Sequence, residues 1–164
     1  MIVVSNTSPI INLATTSHLF LLQQLYTQII IAQAVYDEIV VEGHGLPGST
    51  EVQNETWFSK ESVKNQALVK VLELELDSGE AETLALAFEV GADLVLLDEK
   101  SGRQVANRLN LKVIGIPGIL VEAKHKNLIP SVKSVMDDLI TKAGFWISPK
   151  LYADVLQIVG ENIP

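Results

Sequence analysis

The chain has 164 residues, a formal net charge of −8, no cysteine and 48% hydrophobic residues, with a mean hydropathy of +0.28. That length is most simply one domain, residues 1–164, with enough chain to bury a core. Without Cys there is no disulfide framework and no thiolate metal site, so any metal is held by oxygen or imidazole, which points to Mg²⁺ or Mn²⁺.

Ile2-Val3-Val4 reads as a short buried strand. Ser5-Asn6-Thr7-Ser8-Pro9 breaks it and opens a helix through Ala14, with Ser8 as N-cap and Pro9 at the first helical position. Thr15-Thr16-Ser17 mark a junction before a second apolar helix, His18 to Tyr26. His18 has no second His at ligand spacing and reads as structural or exposed. Gln28 to Ile31 is expected as a strand and Gln33 to Val41 as a helix. On the wheel of that helix Glu38 borders the apolar arc of Val35 and Ile39, while Asp37 lies outside it. Gly43 to Gly48 is a loop by its turn chemistry. Ser49 to Asn54 reads as a short helix, Trp57 to Val63 as irregular or strand-like, and Asn65 to Leu76 as a helix.

Leu76 to Arg103, LDSGEAETLALAFEVGADLVLLDEKSGR, is the stretch with the most chemistry. Asp77 is a good N-cap, and Glu80 three residues on completes a capping box. Gly91 is the C-terminal stop. On a helical wheel Glu80 shares its side with Leu84, Ala87 and Phe88, whereas Glu82 and Glu89 face away and read as solvated. An inward carboxylate needs a partner or a cation, so Glu80 is either a metal ligand or only a cap. Asp93 to Leu97 is a continuous apolar run, the pattern of a strand buried on both faces of a parallel sheet. It ends in Asp98-Glu99, where open α/β sheets place their ligands. The competing reading makes Asp98 an N-cap and Glu99 a first-turn partner of the helix dipole. A helix from Lys100 to Leu109 follows.

Lys112 to Ile116 is the next strand, and Pro117 opens a helix to Lys126. Pro130 to Ala143 is amphipathic, with Val132, Val135, Met136 and Leu139 on one face. Phe145-Trp146-Ile147 is expected as an edge strand and Pro149 to Val159 as the last helix. Strands alternating with helices imply a mainly parallel sheet covered on both faces. No Gly-rich phosphate loop follows the first strand, and that strand offers no acid pair of the phospho-acceptor kind. No apolar run approaches the roughly 20 residues that span a bilayer. The first residues carry no basic flank or cleavage pattern, so the expected location is cytoplasmic. The high hydrophobic content leads us to expect a homodimer or higher oligomer.

The acidic balance argues against long-range attraction of nucleic acid by the molecule as a whole. The distribution is more favourable. Acids dominate Glu73 to Glu99, and Lys100, Arg103, Arg108, Lys112, Lys124 and Lys126 follow. An acidic centre with a basic flank suits a metal-dependent phosphodiesterase.

Four features stand in order: a strand ending in SNTSP, Glu38 on the second helix unit, LDSGEAETLALA, and LVLLDEKSGR followed by LKVIGIPGILVEAKHKNLI. This order resembles the PIN domain family up to about Ile129. The resemblance implies a three-layer α/β/α sandwich around a mainly parallel sheet, with a core of about 1–129 and a helical extension of about 130–164. It also implies a metal-dependent ribonuclease acting on RNA, often the toxin of a toxin–antitoxin pair whose partner is an antitoxin protein. Carried over by residue, the family's first acid falls on Asn6, with Thr7 and Ser8 behind it as substrate-binding polar residues. The second acid falls on Glu38, the third on Glu80, and the fourth on Asp98 or its neighbour Glu99. Lys100 and Arg103 are the candidates for binding flanking phosphates. PIN enzymes normally carry Asp where this chain has Asn6. An amide there still offers a carbonyl oxygen but no charge, so weaker Mg²⁺ binding is expected than at a four-carboxylate site. The alternative is a catalytically weak or inactive PIN-fold module that binds protein or RNA.

Overall fold

A computed structural model describes residues 1–161 of the chain. Five strands, β1 (Val3–Ser5), β2 (Ile29–Ala32), β3 (Phe58–Glu61), β4 (Leu94–Leu96) and β5 (Val113–Ile114), form one sheet in the order β3-β2-β1-β4-β5. Every pairing is parallel, with Val4 opposite both Ile30 and Val95, and Val95 opposite Val113. The helices are α1 (Thr7–Thr15), α2 (Phe20–Tyr26), α3 (Gln33–Tyr36), α4 (Ser49–Asn54), α5 (Gln66–Leu72), α6 (Ser78–Val90), α7 (Lys100–Arg108), α8 (Ile116–His125), α9 (Val132–Lys142) and α10 (Pro149–Ile158). A π-helical segment, Asp37–Glu42, continues α3.

Successive strand side chains point to opposite faces, and here both faces are covered. Val3, Ile29, Ile31, Leu94 and Leu96 pack with the apolar sides of α1, α2, α8, α9 and α10. Val4, Ala32, Val95 and Leu97 pack with those of α5, α6 and α7. That explains why the inner strands β1, β2 and β4 read as mainly apolar runs, and it makes the fold a three-layer α/β/α sandwich, as expected. Val132, Val135, Met136, Leu139, Val155 and Leu156 belong to the first of these two cores, so the chain after residue 129 shares the packing of what precedes it. Residues 162–164 of the expected extension lie outside the described residues. The carboxylate of Glu161 accepts from the first-turn amides of Val132 and Lys133, at 2.7 and 3.0 Å, and pairs with Lys124 at 3.2 Å. Burial alone would raise its pKa; these donors outweigh burial and bring it down to about 2.

Four local expectations are corrected. Helix α1 starts at Thr7 with Asn6, not Ser8, at the N-cap position; Pro9 is tolerated one turn in because first-turn N–H groups have no helical acceptor anyway. Gln33 to Val41 is not one α-helix but α3 plus the π-helical segment. Phe145 to Ile147 forms no strand. It crosses between α9 and α10 with Ile147 buried, while β3 and β5 are the sheet edges. Phe88 was expected inward, yet it is 53% exposed. The middle of α6, from Ala81 to Ala87, is buried on nearly every side except at Glu82, so no single face stands out on the wheel, and only the last turn emerges. Among the described residues, no helix is long and apolar enough to cross a membrane.

Candidate functional site

The strand order reverses beside β1: the chain runs from β1 out to β3, then returns to β4 on the other side. Such a switch point opens a crevice at the carboxyl ends of the strands. Asn6 follows β1 directly, Glu99 lies just past β4, Glu38 comes from the π-helical segment after β2 and α3, and Glu80 comes from the first turn of α6.

Each acid is placed by a local device. Asp77 caps α6, its Oδ1 accepting from the Glu80 amide at 2.8 Å. The reciprocal half of the expected capping box is not made. The Glu80 side chain, only 8% exposed, turns inward instead, and its Oε2 has no hydrogen-bond partner. Two glycines make room. A Cβ at Gly79 would collide with Glu38 Oε1, and one at Gly102 would lie 3.2 Å from Glu80 Oε2. Gly43 closes the π-helical segment, where a Cβ would sit 2.8 Å from the Ile39 carbonyl oxygen and 2.9 Å from that of Glu38. A π-helical turn inside an α-helix often marks a functional position, and here it carries Glu38.

The electrostatics show how close these groups stand. Glu80 is raised to about 8, first by burial, then by Asp77 beside it, and by Glu99 and Glu38. Glu38 is raised by burial, partly offset by the Thr7 hydroxyl beside it, and raised further by Asp77, Glu42 and Glu99. Thr7 Oγ1 nevertheless does not reach hydrogen-bond geometry with any acceptor and is buried without a partner. A hollow of about 260 Å³ is lined by Asn6, Thr7, Ser8, Glu38, Asp77 and Glu99. An adjoining hollow of about 570 Å³ shares Thr7, Glu38 and Asp77 and adds Asp37, Glu42 and Glu82. No Lys or Arg lines either one.

The structure separates the two acids after β4. Glu99 faces Asn6, Glu38 and Glu80. Asp98 faces the start of α8: its Oδ1 accepts from the Ile116 amide at 2.8 Å, and a Cβ at Gly115 would lie 2.7 Å from that oxygen. Burial raises Asp98 to about 6, the Ile116 N–H works against the rise, Glu99 adds to it and Arg103 lowers it. Arg103 lines a separate, mainly apolar groove with Gly115, Pro117 and Leu151, and Lys100 is exposed at the start of α7. So Asn6, Thr7, Ser8, Glu38, Glu80 and Glu99 come together; Asp98, Lys100 and Arg103 stand outside the hollow. Sequence reasoning missed Asp77, whose capping role hid its charge, and Asp37 and Glu82, which it placed in solvent. Both are half-buried; Glu82 Oε1 accepts from the Ala34 amide in the first turn of α3 at 3.1 Å.

Among the described residues, no three acidic or histidine side chains stand in a ready-made metal-ligand arrangement. The donor chemistry fits a hard divalent cation all the same. The donors are oxygen only, the carboxylates repel one another, and the buried Glu80 Oε2 is unpartnered. A family model described as a PIN domain matches residues 2–161. No curated protein and no solved structure matches the chain.

Proposed function

The chain belongs to the PIN domain family, and from that premise we propose that it is a Mg²⁺- or Mn²⁺-dependent endoribonuclease. The observation that supports this most is the proximity of three carboxylates from separate parts of the chain: Glu38 and Glu99 line the hollow at the switch point, and the buried Glu80 stands close enough to feel both. Glu38, Glu80 and Glu99 would hold the ion. A divalent ion supplies positive charge for the scissile phosphate and makes a water acidic enough to attack it near neutral pH. The protein's own contribution is positioning. Asp77 fixes the start of the helix that carries Glu80, accepting from the Glu80 amide. Thr7 and Ser8, in the first turn of α1, offer hydroxyl donors and backbone N–H groups toward a phosphate at the hollow. Lys100 and Arg103, outside it, bind phosphates further along the strand.

This reading takes residues 1–164 as one domain, in the cytoplasm, with RNA as substrate. An antitoxin partner and a homodimer extend it. A second reading, a PIN-fold module that binds protein or RNA without cleaving it, is favoured by Asn6 and by the lack of a ready-made ligand triad among the described residues. Cleavage of single-stranded RNA separates the two. We expect products with Mn²⁺, none with a chelator, and at least a hundredfold slower cleavage by Glu80→Gln, in line with the rough 10²–10⁴-fold cost of losing a group that acts in the transition state. Equal cleavage in all lanes, or none at any Mn²⁺ concentration, overturns the nuclease reading.

A further inference from the structure

Asn6 breaks a local rule. Asn is among the best N-cap residues because its side-chain oxygen accepts from the N–H groups of the first turn. Asn6 occupies the N-cap position of α1 with extended backbone (φ −76°, ψ 173°), yet its side chain makes no capping bond. Glu99 does the same at the N-cap position of α7. The two side chains turn to each other instead: Asn6 Nδ2 donates to Glu99 Oε2 at 3.3 Å. Behind Asn6, the fully buried Thr83, one turn after Glu80 on α6, donates its hydroxyl to Asn6 Oδ1 at 3.5 Å. The orientation of the amide follows from the carboxylate, which can only accept and so faces the nitrogen. The Thr83 hydroxyl then stands at the long limit of a hydrogen bond from the oxygen.

We propose that Asn6 is a positioning residue: anchored by Thr83, its amide N–H holds the Glu99 carboxylate toward the site, and its carbonyl oxygen is not a ligand. This rests on the reading of the hollow as a divalent-ion site. It reverses the sequence expectation for Asn6. The amide is then not a weakened ligand in place of an acid; it is a donor that offsets charge in a crowded set of carboxylates. An Asp at position 6 would face Glu99 oxygen to oxygen. Two like charges at such close range repel, and the repulsion grows as water is excluded from between them. Removing the Asn6 side chain leaves the backbone hydrogen bonds of α1 intact, since it caps none of them, so the role can be tested in a folded protein.

The test is a double-mutant cycle read by calorimetric titration with Mn²⁺. Outer partners of metal ligands typically contribute about 10–100-fold in affinity. Asn6→Ala is expected to weaken Mn²⁺ binding about tenfold, Glu99→Gln more, and the double variant no more than Glu99→Gln alone, within about twofold. Losses that multiply in the double variant overturn the proposal, because a direct ligand at Asn6 would act independently of Glu99. Thr83→Val, which keeps the buried shape and removes the hydroxyl, is expected to weaken binding in the same direction; unchanged affinity counts against the anchor. Should the wild type bind no Mn²⁺, the nuclease reading fails, and the Asn6 proposal is decided separately by the side-chain amide NMR signals without metal. A downfield Asn6 amide proton that moves upfield in Glu99→Ala supports it. An Asn6 signal unaffected by Glu99→Ala overturns it.

Discussion

Glu80 holds the least compensated carboxylate in the crevice: buried, unpartnered at Oε2, and flanked by Asp77, Glu99 and Glu38. Its pKa of about 8 in the folded protein lies above the ordinary glutamate value of 4.5. Between those two values the folded chain keeps a proton that the unfolded chain has released. Stability therefore falls as pH rises through that window. Glu38 and Asp98 shift in the same direction. Glu161, lowered to about 2, has the opposite sign, but its stabilisation is lost only in acid below the glutamate range, outside this window. Without metal, the melting temperature should be lower at pH 8.5 than at pH 5.5, and Glu80→Gln should flatten the slope. Parallel slopes in the two proteins would contradict the charge account. Glu80 was legible in the sequence as an acid on the apolar side of a helix. The choice between Asp98 and Glu99 was not. Neighbours at a strand end point to opposite sides, and which one faces the crevice depends on how β4 meets β1 and α8, a relation between distant residues.

At the level of elements, the helices act as holders for single side chains. Gly79, in the first turn of α6, is the clearest case, because Glu38 Oε1 fills the space where a Cβ would be. Ala is a better helix former than Gly by about 1 kcal/mol, and the group it would displace is the mobile end of a side chain. Gly79→Ala should therefore leave denaturant stability unchanged or raised by up to about 1 kcal/mol, while Mn²⁺ affinity drops about tenfold. A variant that loses stability and keeps its affinity would show that Glu38 is not held there. Nothing in the sequence shows what lies against Gly79. The π-helical segment was equally hidden: periodicity over Gln33 to Val41 fits an α-helix, and the lack of room for a Cβ at Gly43, against the Ile39 and Glu38 carbonyls, appears only in the folded chain. Strands β1, β2 and β4 were legible for the opposite reason: burial leaves an unbroken apolar run whatever the neighbours are. The edge strand β3, with Ser59, Lys60 and Glu61 in it, carries no such run.

Across the whole molecule, charge decides how RNA could be met. Of the basic residues after Glu99, Arg108 is bound to Glu75 at 2.6 Å and Lys124 to Glu161, so two members of the expected basic flank serve the fold. Lys100 and Arg103, which follow Glu99 in the chain, are the residues proposed above for phosphate contact. Each phosphate contact on a single strand contributes about −0.7 to the slope of log affinity against log salt. Replacing both by Ala should lower that slope by about 1.4 in anisotropy titrations of a labelled RNA read before cleavage; an unchanged slope would place the strand elsewhere. The layered fold and the family were readable from the order of motifs, because alternating elements and turn residues are local signals. The closed set of acids was only partly readable, because it is produced by the reversal of strand order. Nuclease activity requires that set to take up a divalent ion, and calorimetric titration with Mn²⁺ at pH 7 addresses this most directly. We predict saturable binding that releases a proton, that is lost in Glu80→Gln and that survives in Asp98→Asn. Wild-type protein that binds no Mn²⁺, or Glu80→Gln that binds it equally well, would contradict it.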